Sequence, residues 1–269
     1  MVIKIGLFSL PPFLSAGIRF FLAFVALSLY AVFNNIQFPK GVKVHLFFLW
    51  FGMINFTGGY AFVYWAEQYI ASGLASVLFS VMPFYMLILS NWLLPQEKID
   101  LKKIVGVSVG FTGVLIIFWD QITVSIITTE SIVGMGAVLT APLFSSIGTI
   151  AGKRIGHKMH PIVLLTIPML YASIAFFILS IILESNIQPV FDFNAIFSIF
   201  YLALAGTALA FVLYFWMLRN TSAVIMSMIT FVTPPLALVW GWIILDESIT
   251  YLLILGMSLI LAGIFIVRR

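Results

Sequence analysis

The chain has 269 residues, of which 63% are hydrophobic and 8% charged, with no cysteine and a formal net charge of +4. A soluble domain carries roughly 25% charged residues to keep its surface wetted, so most of this chain's outside meets lipid; the absence of cysteine excludes thiolate catalysis, disulfides and cysteine-ligated metals. The positive balance does not imply a nucleic-acid partner, because the basic residues stand singly or in pairs between apolar runs instead of forming one phosphate-binding face.

Residues 1–9 are apolar but too short to cross about 30 Å of hydrocarbon, which takes about 20 helical residues. Pro11 and Pro12 open a run over 13–33 that is long enough. After a polar loop with Pro39 and Gly41, a second run covers 44–64 and ends at Glu67; a third covers 71–93 and is closed by Pro95 and Glu97. A fourth, over 104–119, contains Gly106, Gly110 and Gly113, and 120–130 is a loop rich in Thr and Ser. Further runs fall at 131–151, 162–183, 194–218, 222–245 and 250–267. The reading is an all-α integral membrane protein with nine full crossings and an N-terminal stub, and the short loops leave no room for a soluble domain.

Charge supplies an orientation. With the C-terminus placed in the cytosol, alternation puts Lys40, Lys43, Lys98, Lys102, Lys103, Lys153, Arg154, Lys158, Arg219, Arg268 and Arg269 on the cytosolic side, eleven of the thirteen basic residues. Lys4 falls on the other side and Arg19 within a helix. The expected location is the cytoplasmic membrane of a bacterial cell.

Two stretches resemble each other. Residues 69–97 and 219–247 both run from small and hydroxylated residues through a mid-helix proline to a closing glutamate. An offset of about 150 residues also places Tyr64 on Tyr214, Gly106 on Gly256 and Gly113 on Gly263. The chain is therefore read as an internal duplication, with repeats over 1–119 and 131–269. An odd number of helices per repeat makes the copies inverted, so that two equivalent gates enclose one cavity.

The ordered motifs LPPFLSAGIRFFLA at 10–23, ASGLASVLFSVMPFYMLILSNWLLPQE at 71–97 and TSAVIMSMITFVTPPLALVWGWIILDE at 221–247 resemble the EamA-type family of the drug/metabolite transporter superfamily. The resemblance covers essentially the whole chain. It implies ten helices in two inverted five-helix repeats, with almost all of the first helix absent here and residues 1–9 as its end. It further implies a secondary transporter, an exporter or permease, that moves small metabolites, amino-acid-like compounds or drugs by alternating access.

Several residues stand out within the apolar runs. Arg19 is costly to leave in hydrocarbon and should face a cavity, find a partner or snorkel to an interface. Asn55, Tyr60, Tyr64, Tyr214 and Trp216 offer mixed polar and aromatic surface suited to an organic solute, or to packing and the interfacial belt. Pro83, Pro234 and Pro235 are candidate hinges or cavity-shaping bends. Glu67 and Glu247 could couple protons or cations to transport, or simply end helices, and Glu97 beside Lys98, Lys102 and Lys103 suggests a local ion pair. The Gly106-x-x-x-Gly110 spacing marks either internal packing or a homodimer contact.

His45, His157 and His160 lack metal-ligand spacing, and no phosphate loop, dinucleotide fingerprint or nucleophile elbow is present. The expectation is no enzyme activity, no cofactor and no metal, with a small-molecule solute and the bilayer as partners. The competing readings are a non-transporting scaffold, a truncated transport-inactive homologue and a membrane-embedded enzyme.

Overall fold

The computed structural model describes residues 2–117, 119, 128–156, 159–233, 235–236 and 251–268. Pro234 and Glu247 lie outside the described residues. The described chain forms α1 (Val2–Leu7), α2 (Pro12–Phe33), α3 (Val42–Ala66), α4 (Ser72–Leu93), α5 (Leu101–Ile117), α6 (Thr129–Gly156), α7 (Pro161–Leu183), α8 (Phe193–Leu218), α9 (Ala223–Thr233) and α10 (Tyr251–Arg268). Six of these, α2, α3, α4, α6, α7 and α8, are long and apolar enough to cross a membrane. The protein is a multi-span, all-α membrane protein, and the apolar runs at 13–33, 44–64 and 162–183 coincide with helices.

Proline and polar side chains set the helix starts. Pro12 and Pro161 occupy first-turn positions, where their fixed φ fits the helix and no N–H is missed. The first N–H groups of α2 are taken up from a distance: the buried Glu184 carboxylate accepts from Phe13 N at 2.7 Å and Leu14 N at 3.0 Å. At the start of α8 the cap is local, with Asp192 Oδ1 accepting from Ala195 N at 2.7 Å. The other Asp192 oxygen accepts from the Ser9 hydroxyl at 2.7 Å. These two contacts, the backbone one first, hold the Asp192 carboxyl below its ordinary range. α1 is also tied to α8, since Ser198 Oγ donates to Val2 O at 2.9 Å.

Three helices are interrupted within their length. The α-helical geometry of α3 widens to a π-helix at Gly52–Gly58, and that of α8 does so at Leu204–Leu209. The two segments overlap under an offset of about 150 residues. In α4 the helix breaks between Phe79 and Met82, just before Pro83, as expected for a residue that cannot donate its backbone N–H. There the Ser80 hydroxyl donates to Ser76 O at 2.8 Å and to Thr230 O of α9 at 3.1 Å.

The core is aromatic. Phe20, Phe48, Phe51, Phe56, Phe176 and Phe231 are fully buried. Phe20 of α2 stacks on Phe176 of α7 at 5.6 Å between ring centroids and meets Phe56 of α3 at 5.4 Å. α5 and α10 make a separate close pair. A Cβ on Gly106 would lie 2.6 Å from Gly263 O, and one on Gly113 would lie 2.5 Å from Gly256 O. Only glycine permits that approach, and the crossed order of the partners makes the two helices antiparallel. A Cβ on Gly110 would meet the Phe231 ring of α9. The Gly106-x-x-x-Gly110 spacing thus serves packing within the chain.

Candidate functional site

A cavity of about 770 Å³ lies between the helices, within the range of sites that enclose drug-sized molecules. Its walls come from α3, α4, α6, α8, α9 and α10. Along α8 it extends from Gly206 to Met217, about 16 Å at 1.5 Å rise per residue. Most of the surface is apolar, supplied by Phe79, Met82, Phe211, Met226 and Met228 among others. The polar groups among the described lining residues are neutral: Asn55, Tyr60, Ser145, Thr149, Tyr214, Thr221 and Thr233.

Asn55 sits in the π-helical part of α3 and is only 3% exposed, with its amide nitrogen lacking a hydrogen-bond partner among the described residues. Its position depends on Gly148 of α6, because a Cβ there would collide with the Asn55 side chain. A buried amide donor left unsatisfied costs about 1–3 kcal/mol, so Asn55 is a prepared donor at the cavity wall.

Arg19 lies behind the same wall and is 3% exposed. Its Nε donates to Thr207 Oγ1 at 2.7 Å, Nη1 to the Tyr64 hydroxyl at 3.2 Å and Nη2 to Gly206 O at 3.3 Å. The guanidinium also stands over the Tyr60 ring, 4.9 Å from its centroid, a cation–π geometry. Arg19 therefore does not snorkel. It joins α2, α3 and α8 at one end of the cavity, where Tyr60 and Gly206 form the lining.

The other end carries a second polar cluster. After α4 the chain turns, with Glu97 N donating to Leu94 O at 2.8 Å, and the Glu97 carboxylate points inward. It forms a buried ion pair with Lys153 of α6. It also accepts from Ser222 Oγ at 3.0 Å and from Ala223 N at 2.8 Å, capping α9. Lys153 Nζ in turn donates to the carbonyl of Thr221, a cavity residue, at 2.5 Å. The expected local pairing of Glu97 with its lysine neighbours is corrected here: Lys103 Nζ donates instead to Lys98 O at 2.6 Å, and the carboxylate crosses to α6 and α9. Lys153 lies just past the run expected to end at 151, but α6 continues to Gly156 and buries it.

The remaining sequence candidates separate by location. Tyr60 and Tyr214 line the cavity, Tyr64 is buried against Arg19, and Trp216 is 58% exposed on the outer face. Pro83 follows the break in α4 next to the cavity residue Met82, and Pro235 is buried. Glu67 is buried at the end of α3. Sequence reasoning passed over Gly206, Thr207, Ser145, Thr149 and Glu184, which have no charge or motif to mark them or, for Glu184, stand at an ordinary helix end.

The sequence profile of the EamA-like transporter family matches residues 1–119 and 132–269. The chain belongs to the EamA-like transporter family. As an EamA-like transporter it is a secondary transporter of small organic solutes. Among relatives, it is 29% identical over 266 residues to the uncharacterized transporter YoaV of Bacillus subtilis (strain 168), covering 98% of this chain and 90% of that one. It is 31% identical over 219 residues to an uncharacterized transporter of Archaeoglobus fulgidus, covering 81% of this chain and 75% of that one. A protein of Escherichia coli (strain K12) named "Probable amino-acid metabolite efflux pump" is 28% identical over 278 residues, covering 99% of this EamA-like chain and 88% of its own. A solved crystal structure superposes with a TM-score of 0.80 at 15% identity, over 96% of this chain and 87% of that one, a likeness of fold alone.

Proposed function

We propose that this chain is an alternating-access exporter or permease of the cytoplasmic membrane, built from two inverted repeats over 1–119 and 131–269, with the central cavity as its solute site. The observation that carries this reading is the origin of the cavity walls. α3 and α8 correspond under the repeat offset, as do α4 and α9, and all four contribute to the lining. A site shared between equivalent elements can be exposed by rocking one half against the other.

Three further features support the repeat. The π-helical segments fall at matching places in α3 and α8. The matched glycines of α5 and α10 pack crosswise in antiparallel helices, as two copies of opposite orientation require. α4 breaks before Pro83, and α9 has a turn at Met228 ahead of the proline pair. Nine crossings with the C-terminus in the cytosol fit the charge distribution, and this places the Glu97–Lys153 cluster at the cytosolic mouth and Arg19 towards the opposite one.

In this reading Asn55, Tyr60 and Tyr214 contact the solute, Arg19 and Tyr64 back the wall, and Pro83 and Pro235 shape the moving helices. The solutes are small organic metabolites, amino-acid-like compounds or amphiphilic drugs, the first two in line with the printed name of the Escherichia coli relative. Counterflow of a labelled panel of such solutes into sealed vesicles holding the purified chain tests the proposal. At least one solute is expected to move faster than in protein-free vesicles, and a panel with none that does overturns it.

A further inference from the structure

We infer that the solute carries a carboxylate, held at the Arg19 end of the cavity, with its apolar body lying against the methionine and phenylalanine walls. This rests on the cavity being the solute site and narrows the class of solute it takes. The starting point is a charge without a counter-charge among the described residues. Arg19 is buried, yet its hydrogen-bond partners among the described residues are neutral: two hydroxyls and one carbonyl. No carboxylate of the described residues bonds to it. Elsewhere in the same protein the buried Lys153 does have a carboxylate, Glu97, so the fold pairs a buried cation where pairing is all that is needed.

Hydrogen bonds to neutral groups satisfy N–H donors but leave the ionic charge uncompensated, and an uncompensated charge in a water-poor interior is expensive. The guanidinium has five N–H donors, and its three contacts leave others available. What separates it from the cavity is thin. Gly206 and Tyr60 are the lining residues at this point, and a Cβ on Gly206 would lie 4.0 Å from Arg19 Nη2. With hydrogen in place of a side chain there, an anion held against Gly206 or Tyr60 would feel the guanidinium through little intervening protein, where low dielectric makes the attraction strong.

The remainder of the lining argues for the same class. No Asp or Glu is among the described lining residues, so an ammonium group entering the cavity finds no counter-charge among them and meets the field of Arg19 as repulsion. A zwitterion gains at one end and loses at the other. A monocarboxylate with an apolar body gains at both, and the Asn55 amide nitrogen supplies a neutral donor for a further oxygen.

The test uses the purified chain in lipid nanodiscs and a matched series differing only in its polar head: 4-phenylbutyrate, 4-phenylbutyramide, 4-phenylbutylamine and, as zwitterion, 2-amino-4-phenylbutyrate. Equilibrium binding should favour phenylbutyrate over the amide by about tenfold, as a charge-assisted contact does over a neutral one, with the amine weakest. In Arg19→Gln the carboxylate and amide should converge, and in Arg19→Lys the original order should persist. Equal binding of carboxylate and amide by the unaltered chain, or tightest binding of the amine, overturns the inference while leaving the cavity as a solute site. Absence of binding by the whole series overturns the inference too; the cavity reading then stands or falls on the solute-panel counterflow. Because the series on the unaltered chain decides the matter, it does not depend on the variants folding.

Discussion

Glu97→Gln is expected to lower the stability of the purified protein by about 3–5 kcal/mol, the cost of removing one partner from a buried ion pair. The substitution preserves an oxygen that can still accept from Ala223 N, so the loss comes from the charge. Lys153 then remains buried with the Thr221 carbonyl as its neutral partner. Replacing both partners, Glu97→Gln with Lys153→Met, should recover most of that loss, because no uncompensated ammonium remains. Thermal unfolding of the two single variants and the double variant measures the coupling directly. A Glu97→Gln protein that melts with the parent would show that the pair does not hold α4, α6 and α9 together. The same cluster has a functional expectation. It joins α6 and α9 beside Thr221 at the end of the cavity, so weakening it should favour conformations open at this mouth.

Thr149→Trp is expected to reduce solute counterflow by at least about tenfold, the effect of a penalty of about 1.4 kcal/mol on the transported state. Thr149 is 3% exposed and contributes to the cavity from α6. An indole there occupies volume that the solute needs. The cavity of about 770 Å³ can take up the ring, so the stability change should stay below the 1–3 kcal/mol or so typical of overpacking a filled core. Retained stability with lost flux distinguishes a blocked path from a damaged fold. Trp216→Ala serves as the contrast, since that ring faces outward and its removal should leave counterflow near the parent value. Undiminished flux in a folded Thr149→Trp protein would place the solute path elsewhere.

Much of this architecture is legible in the sequence, and the reasons are physical. Apolar runs of about 20 residues have one stable arrangement in lipid, a helix, because every backbone group must be bonded internally; hence the agreement at α2, α3 and α7. An arginine within such a run must be accommodated, and Arg19 is, inside the protein. What the sequence hides is the identity of distant partners. Thr207 and Gly206 are ordinary small residues in an apolar run, and only the folding of α2 against α8 makes them the neighbours of Arg19. Glu97 has three lysines close in sequence, yet the turn after Leu94 directs it to a fourth, on α6. Tyr214 and Trp216 show a limit of reading by residue type: two positions apart, they stand about 200° apart round a helix, one in the wall and the other on the outside. The π-helical widening in α3 and α8 follows from packing that no local pattern specifies, although its recurrence fits the repeat.

The measurement that bears most directly on the alternating-access claim is the reaction of a single introduced thiol with a membrane-impermeant reagent, applied in turn from each side of sealed vesicles. The chain has no cysteine, so Met226→Cys, in the cavity wall contributed by α9, supplies the only thiol. Labelling from both sides, with phenylbutyrate slowing it from either, is the predicted result. Labelling confined to one side under every condition, with transport still occurring, would contradict the account.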